Sequence, residues 1–133
     1  MITVDSSVLV AGSSSWHGHH VVARRTINGA RTVGHTLLEA CSVLTRIPAP
    51  CRASPDVVSA FLATITQEPP LVPDAETLGG LPQRLAREGI SGGAVHDALV
   101  ALTSAGACAE LVSLDARAAT TYRAMGVRYR LLA

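Results

Sequence analysis

Lysine is absent from this 133-residue chain; all eleven basic residues are arginine. That excludes a glycine-loop phosphate site of the kind that ends in lysine. It also removes the lysine partner of an aspartyl phosphotransfer centre. Aromatic residues are only 3% of the chain, which argues against gripping single strands mainly by stacking bases on rings. The three cysteines, Cys41, Cys51 and Cys108, are odd in number and lack metal-site spacing. They read as small buried apolar residues in a reducing compartment. No apolar run approaches the ~20 residues that span a bilayer, and the N-terminus carries neither the basic segment nor the apolar core of a secretion signal. A cytoplasmic protein is expected. Charged residues make up 16% and the net charge is +1, so overall charge favours no class of partner.

Hydrophobic residues make up 48%, enough to fill the core of one domain over residues 1–133. A β-rich run at Ile2–Val4 is followed by Asp5 and then an apolar run that Gly12 stops. Trp16 to Ile27 reads as an amphipathic helix with Trp16, Val21 or Val22 and Ile27 inward. Ala30–Val33 is a short strand. Thr36 with Glu39 three residues on fits a capping box for a helix that runs to Arg46, and Pro48 and Pro50 break the chain there. Ser54-Pro55 opens a helix over Val57–Thr66, with Val58, Phe61, Leu62 and Ile65 inward. Leu71-Val72 is a very short strand. Ala75–Glu88 is helical, with a kink or a break expected at Gly79-Gly80 and Pro82. After the loop Gly89–Gly93 come a helix over Ala94–Ala105, a strand over Glu110–Ser113, a helix from Asp115 to Met125, and a strand over Val127–Leu131. Strands alternating with helices imply a three-layer α/β/α domain around a mainly parallel, short-stranded sheet.

Four of the ten acidic residues stand apart. Asp5 and Asp115 each follow a strand, so parallel strands would project both from one edge of the sheet, where ligands of such sheets bind. Glu39 and Asp97 lie in apolar stretches early in their helices. Each has an ordinary explanation: Asp5 can cap a helix, and acids near helix N-termini gain about 0.3–1 kcal/mol from the dipole. The other six, Asp56, Glu68, Asp74, Glu76, Glu88 and Glu110, occupy helix ends, a strand start or polar loops. Four carboxylates drawn to one edge could not all stay ionised together without a cation. An all-oxygen set without cysteine or clustered histidine suits Mg²⁺ or Mn²⁺, ions that work on phosphate esters.

The motifs around these acids resemble those of PIN-domain nucleases, and specifically VapC-type toxins of toxin–antitoxin pairs. Val4-Asp5-Ser6-Ser7 resembles the opening motif. Leu38-Glu39 with Ser42-Val43-Leu44-Thr45-Arg46 resembles the second, Ser91–Leu99 around Asp97 the third, and Val112-Ser113-Leu114-Asp115 the fourth, with Ser113 in place of the usual threonine. His35-Thr36 and His96 depart from the common residues, but no acid is lost. The resemblance implies a metal-dependent endoribonuclease that cuts RNA such as tRNA or ribosomal RNA. It implies Asp5 and Asp97 as direct ligands of Mg²⁺, or of Mn²⁺ in its place. Glu39 and Asp115 would act through water or on a second ion, and Ser6 and Ser113 would orient the carboxylates. Water would attack the phosphodiester, leaving a 5′-phosphate and a 3′-hydroxyl. A cognate VapB-type antitoxin would restrain the enzyme, in a groove between the helices Trp16–Ile27 and Val57–Thr66, and a homodimer or a toxin–antitoxin hetero-oligomer is expected. The alternatives are an RNA-binding PIN module without catalysis, which would lose acids, and a phosphohydrolase with Asp5 as nucleophile, which would want a second aspartate where Ser7 stands.

Other clusters carry less. His17, His19 and His20 could approach one ion or form a solvated cluster. His96 could touch substrate or point outward. Arginines at 24, 25, 31, 46, 52, 84 and 87 are candidates for an RNA-facing patch, because carboxylates alone would repel RNA.

Overall fold

The computed structural model describes residues 1–66 and 68–132. Strand β1 (Ile2–Val4) leads into helix α1 (Ser6–Ser13) and helix α2 (His20–Asn28). Then come β2 (Arg31–Thr32), α3 (Gly34–Arg46), α4 (Pro55–Ile65), α5 (Ala75–Glu88) and α6 (Ala94–Gly106). The chain finishes with β3 (Glu110–Ser113), α7 (Ala116–Ala124) and β4 (Tyr129–Leu131). The strands form one parallel sheet in the order β2-β1-β3-β4. A lone parallel bridge from Val33 to Leu71 extends the β2 side.

A parallel sheet must be covered on both faces, so its strands are apolar on both. Leu111 and Val112 follow one another in β3, both fully buried, and point to opposite faces. Val112 packs with Val4, Val8, Leu9, Ile27, Ala40, Leu44 and Leu62, which come from β1 and helices α1 to α4. Leu111 packs with Leu81, Leu85, Val100, Ala118 and Tyr122, which come from α5, α6 and α7. The result is helices, sheet and helices in three layers, as the alternation of elements implies. Thr3 on β1 meets Ser104 of α6 in a buried hydroxyl–hydroxyl hydrogen bond of 2.6 Å. This bond fixes α6 against the middle of the sheet.

Several boundaries differ from expectation. The apolar run after Asp5 is itself a helix, α1, with Val8, Leu9, Ala11 and Gly12 all buried. A helix enclosed in this way shows no amphipathic period, so its sequence carries no helical signal. Its neighbour α2 begins only at His20, and Trp16 lies before it in a turn, 55% exposed. Ala23 and Ile27 are the inward pair, one turn apart, while Val21 faces water. A Cβ on Gly12 would run into the Ile27 side chain, so glycine sets how closely α1 and α2 approach. Thr36 caps nothing. Val33 is the N-cap of α3, and the Thr36 hydroxyl donates to the Val33 carbonyl at 2.7 Å from inside the first turn. Glu39 therefore stands in the second turn, further from the helix end than a capping box would put it.

Helix α5 is one unbroken element through Gly79, Gly80 and Pro82. All three are exposed, so water can take the carbonyl that Pro82 leaves without a donor. Its buried side, Leu81 and Leu85, is intact. Helix α4 follows its reading: Ser54 accepts from the Val57 amide at 3.4 Å, Pro55 opens the helix, and Val58 and Leu62 are buried. β4 starts at Tyr129, two residues later than the alternating pattern suggests.

Leu111 is the fully buried residue of the central strand on the α5–α7 side. Leu111→Ala is expected to cost about 2–5 kcal/mol, read as a lower urea midpoint with an unchanged m value.

Candidate functional site

Two of the acids are placed by the sheet itself. Val4 pairs with Val112 in parallel register, and the Asp5 amide continues the ladder by donating to the Val112 carbonyl at 3.1 Å. Asp5 and Ser113 thus leave neighbouring strands at the same edge, and Asp115 follows two residues on. Both aspartates cap the helices that start there. Asp5 Oδ1 accepts from the amides of Ser7 at 3.0 Å and Val8 at 3.3 Å. Asp115 Oδ1 accepts from the Arg117 amide at 2.9 Å, with the Arg117 guanidinium exposed beside it at 3.8 Å. The capping explanation for Asp5 is thereby correct, and it leaves room for a second role.

That second role shows in the far oxygen. Asp5 is 4% exposed, and its Oδ2 accepts a 2.8 Å hydrogen bond from the hydroxyl of Tyr122 on α7, which is 1% exposed. Burial, and then the Asp5 charge, push the Tyr122 hydroxyl well above the usual phenol range, so it stays a donor. On the near side the Ser7 hydroxyl donates to Asp5 Oδ1 and accepts from the Leu114 amide at 2.9 Å. Ser113 Oγ, fully buried, accepts from the Asp115 amide at 2.9 Å and lies 3.5 Å from Ser7 Oγ. Ser7 therefore ties the end of β1 to the end of β3. The hydroxyl on Asp5 is that of Ser7 rather than Ser6, because Asp5 caps α1 and its cap bonds fall on the second and third residues of the helix. Ser6 instead lines a neighbouring cleft with His35, Glu39 and His96. Tyr122 was not legible as a partner of Asp5. A buried tyrosine needs a partner for its hydroxyl, but 117 residues of chain separate the two.

Helices α3 and α6 bring the other two acids. Burial raises the carboxyl of Glu39; the neighbouring His96 lowers it and Asp5 raises it further. Asp97 is pushed up to about 6 by burial first, then by the charges of Glu39, Asp5 and Asp115, against a lowering by His96. Asp97 thus lies within the field of all three other acids. Beside them His35 Nε2 and His96 Nδ1 are 2.9 Å apart, the rings nearly parallel at 8°. Burial and His96 together hold His35 below its ordinary pKa.

The donor set is oxygen throughout and its members repel one another, which is the chemistry a hard divalent cation fits. The side chains are not drawn into a closed cage: among the described residues no three Asp, Glu, His or Cys side chains are clustered closely enough to hold one ion. That statement covers His17, His19 and His20 as well. His20 Nδ1 lies 2.9 Å from the Ala11 carbonyl, and His17 Nδ1 accepts from the His19 amide at 3.1 Å, so the first of these joins α2 to α1. Among the described residues no helix is long and apolar enough to cross a membrane.

The chain is 44% identical over 133 residues to ribonuclease VapC40 of Mycobacterium tuberculosis, covering 99% of each chain. It is 43% identical over 128 residues to ribonuclease VapC27 of the same organism, covering 95% of this chain and 93% of that protein. No protein-family model matches it.

A carboxyl whose pKa is higher in the folded chain favours folding when protonated. For Asp97 that contribution is complete below the ordinary value of 3.8 and is lost as pH rises through about 6. In EDTA the melting temperature should therefore fall between pH 5 and pH 7.5, and Asp97→Asn should flatten that fall. An equally steep fall in the variant would contradict the field described here.

Proposed function

The chain belongs to the VapC family of ribonucleases, and from that premise we propose that it is a metal-dependent endoribonuclease toxin acting through Asp5, Glu39, Asp97 and Asp115. The observation that supports this most is the position of Asp97, which feels the charge of the three other carboxylates from three other elements. Like charges are assembled at such a cost only where something offsets them.

Asp5 and Asp97 would hold Mg²⁺, or Mn²⁺ in its place, with Glu39 and Asp115 in support. The cation would supply positive charge and Lewis acidity at the scissile phosphate. The chain's own residues do the positioning. Tyr122 and Ser7 hold both oxygens of Asp5, so its carboxylate cannot swing away. Ser7 and Ser113 lock the turn into α7 and keep Asp115 beside Asp5. Water would attack phosphorus, the bond to the 3′ oxygen would break, and a 5′-phosphate and a 3′-hydroxyl would result. No side chain is a nucleophile in this scheme.

The substrate we favour is tRNA or ribosomal RNA in the cytoplasm, with a VapB-type antitoxin as inhibitor and a homodimer as the assembly. The antitoxin would lay a helix in the groove between α2 and α4, lined by Arg24, Arg25, Ile27, Asn28, Thr64 and Ile65. Arg24 lies over the Phe61 ring there, 5.2 Å from its centre, so a cationic floor meets an apolar wall.

Asp97→Asn and Asp5→Asn should each reduce RNA cleavage by more than about 100-fold with the domain still folded, the Asp97 variant melting no lower than the wild type at neutral pH; asparagine keeps the Asp5 cap, which alanine would remove. EDTA should stop cleavage and Mg²⁺ or Mn²⁺ restore it. Cleavage that survives chelation would exclude the mechanism. Tyr122→Phe, which keeps every carboxylate, should raise the Mg²⁺ needed for half-maximal rate by about 10-fold.

A further inference from the structure

The cleft beside Glu39 takes no part in holding the carboxylates together. We propose that it seats a phosphodiester of the RNA strand next to the one that is cut, held by Arg46, Ser42, Ser6 and the His35–His96 pair. The inference rests on the ribonuclease reading and names where the uncut part of the substrate lies.

The space is about 370 Å³, within the range of small-ligand sites. Glu39 is the one acid in its lining, while Arg46, Ser42 and Ser6 supply a cation and hydroxyl donors. Arg46 reaches only the Ser42 hydroxyl, at 3.4 Å, and among the described residues no carboxylate pairs with it. Arg31, Arg117 and Arg130, by contrast, each have an acidic partner. A strand of RNA brought to four carboxylates is repelled by them, so a cation must hold it alongside. Arg46 is the guanidinium in the lining of this cleft.

The histidine pair adds a donor whichever way its hydrogen lies. His35 Nε2 and His96 Nδ1 share one hydrogen across 2.9 Å. If His35 donates it, His96 must carry its own hydrogen on Nε2. If His96 donates it, His35 must carry its own on Nδ1. Either neutral arrangement leaves one N–H outside the pair, on His96 Nε2 in the first case and on His35 Nδ1 in the second. Guanidinium, hydroxyls and that N–H are all donors, which suits the non-bridging oxygens of a phosphodiester.

The test is binding of a short fluorescent single-stranded RNA to the full-length protein in EDTA, followed by anisotropy across a salt series. Arg46→Gln and His96→Gln should each weaken binding about 10-fold. Arg46→Gln should also lower the slope of log K against log salt by about 0.7, the value of one phosphate contact on a single strand. A change that merely disturbed packing would not move that slope. Arg46 and His96 are exposed, so both variants should fold; should the His96 variant not, Arg46→Gln with Ser42→Ala decides. Variants that bind with unchanged affinity and slope, while the wild type cleaves RNA, overturn the cleft and leave the ribonuclease reading intact. A wild type that neither binds nor cleaves RNA overturns both.

Discussion

The pairing of β1 with β3 supports everything else in this site. Three residues of each strand meet in parallel register, Ile2 with Glu110, Thr3 with Leu111 and Val4 with Val112. Because both strands run the same way, both end at the same edge, and the chain turns there into α1 and α7. A slip of one residue would exchange the two faces of β3. Leu111 and Val112 would trade core clusters, and Asp115 would no longer stand level with Asp5. Burial on both faces forbids that slip, so the hydrophobic core sets the spacing of the charges as well as the stability of the sheet.

Structural and chemical roles fall on the same atoms here. Asp5 is a helix cap through Oδ1 and a tethered carboxylate through Oδ2. The cap bonds fix the carboxylate at its base, and Tyr122 fixes it at its tip. A carboxylate held at both ends loses little further freedom when a ligand arrives, which is what preorganisation requires. The same economy appears at Ser7, whose hydroxyl serves Asp5 and the backbone at Leu114 together. The opposite holds for Glu39 and Asp97. They stand on α3 and α6, and among the described residues no hydrogen bond holds their oxygens; their raised pKa values record burial first and then the neighbouring carboxylates, which His96 only partly offsets.

In the proposed reaction, carboxylates that repel a polyanion must work beside groups that attract it. In this fold Asp5 and Asp115 stand at the strand ends and Glu39 and Asp97 on the helices beside them, while His35 and Arg46 lie on α3 and His96 on α6. The absence of lysine leaves guanidinium to supply the fixed positive charge, and guanidinium grips phosphate by paired, directional bonds.

The sequence by itself determined the layered parallel architecture, the caps at Asp5 and Ser54, and the four acids that stand apart from their surface neighbours. These are local properties: apolar alternation, a turn residue, a charge in an apolar run. It offered a cap at Asp5 but not the extent of α1, because a helix with no exposed face has no period to detect. It did not disclose that Trp16 lies outside α2, or that Thr36 and Glu39 form no capping box, because both patterns were locally sound and the packing around them decided otherwise. Nor did it disclose Ser7 and Tyr122 on Asp5, or the bond between His35 and His96. Ser7 is only two residues from Asp5, but either of two adjacent serines could have served until the cap geometry chose. Tyr122 stands 117 positions from Asp5 and His96 stands 61 from His35. Only the crossing of helices over a sheet of fixed register brings such residues within hydrogen-bonding distance.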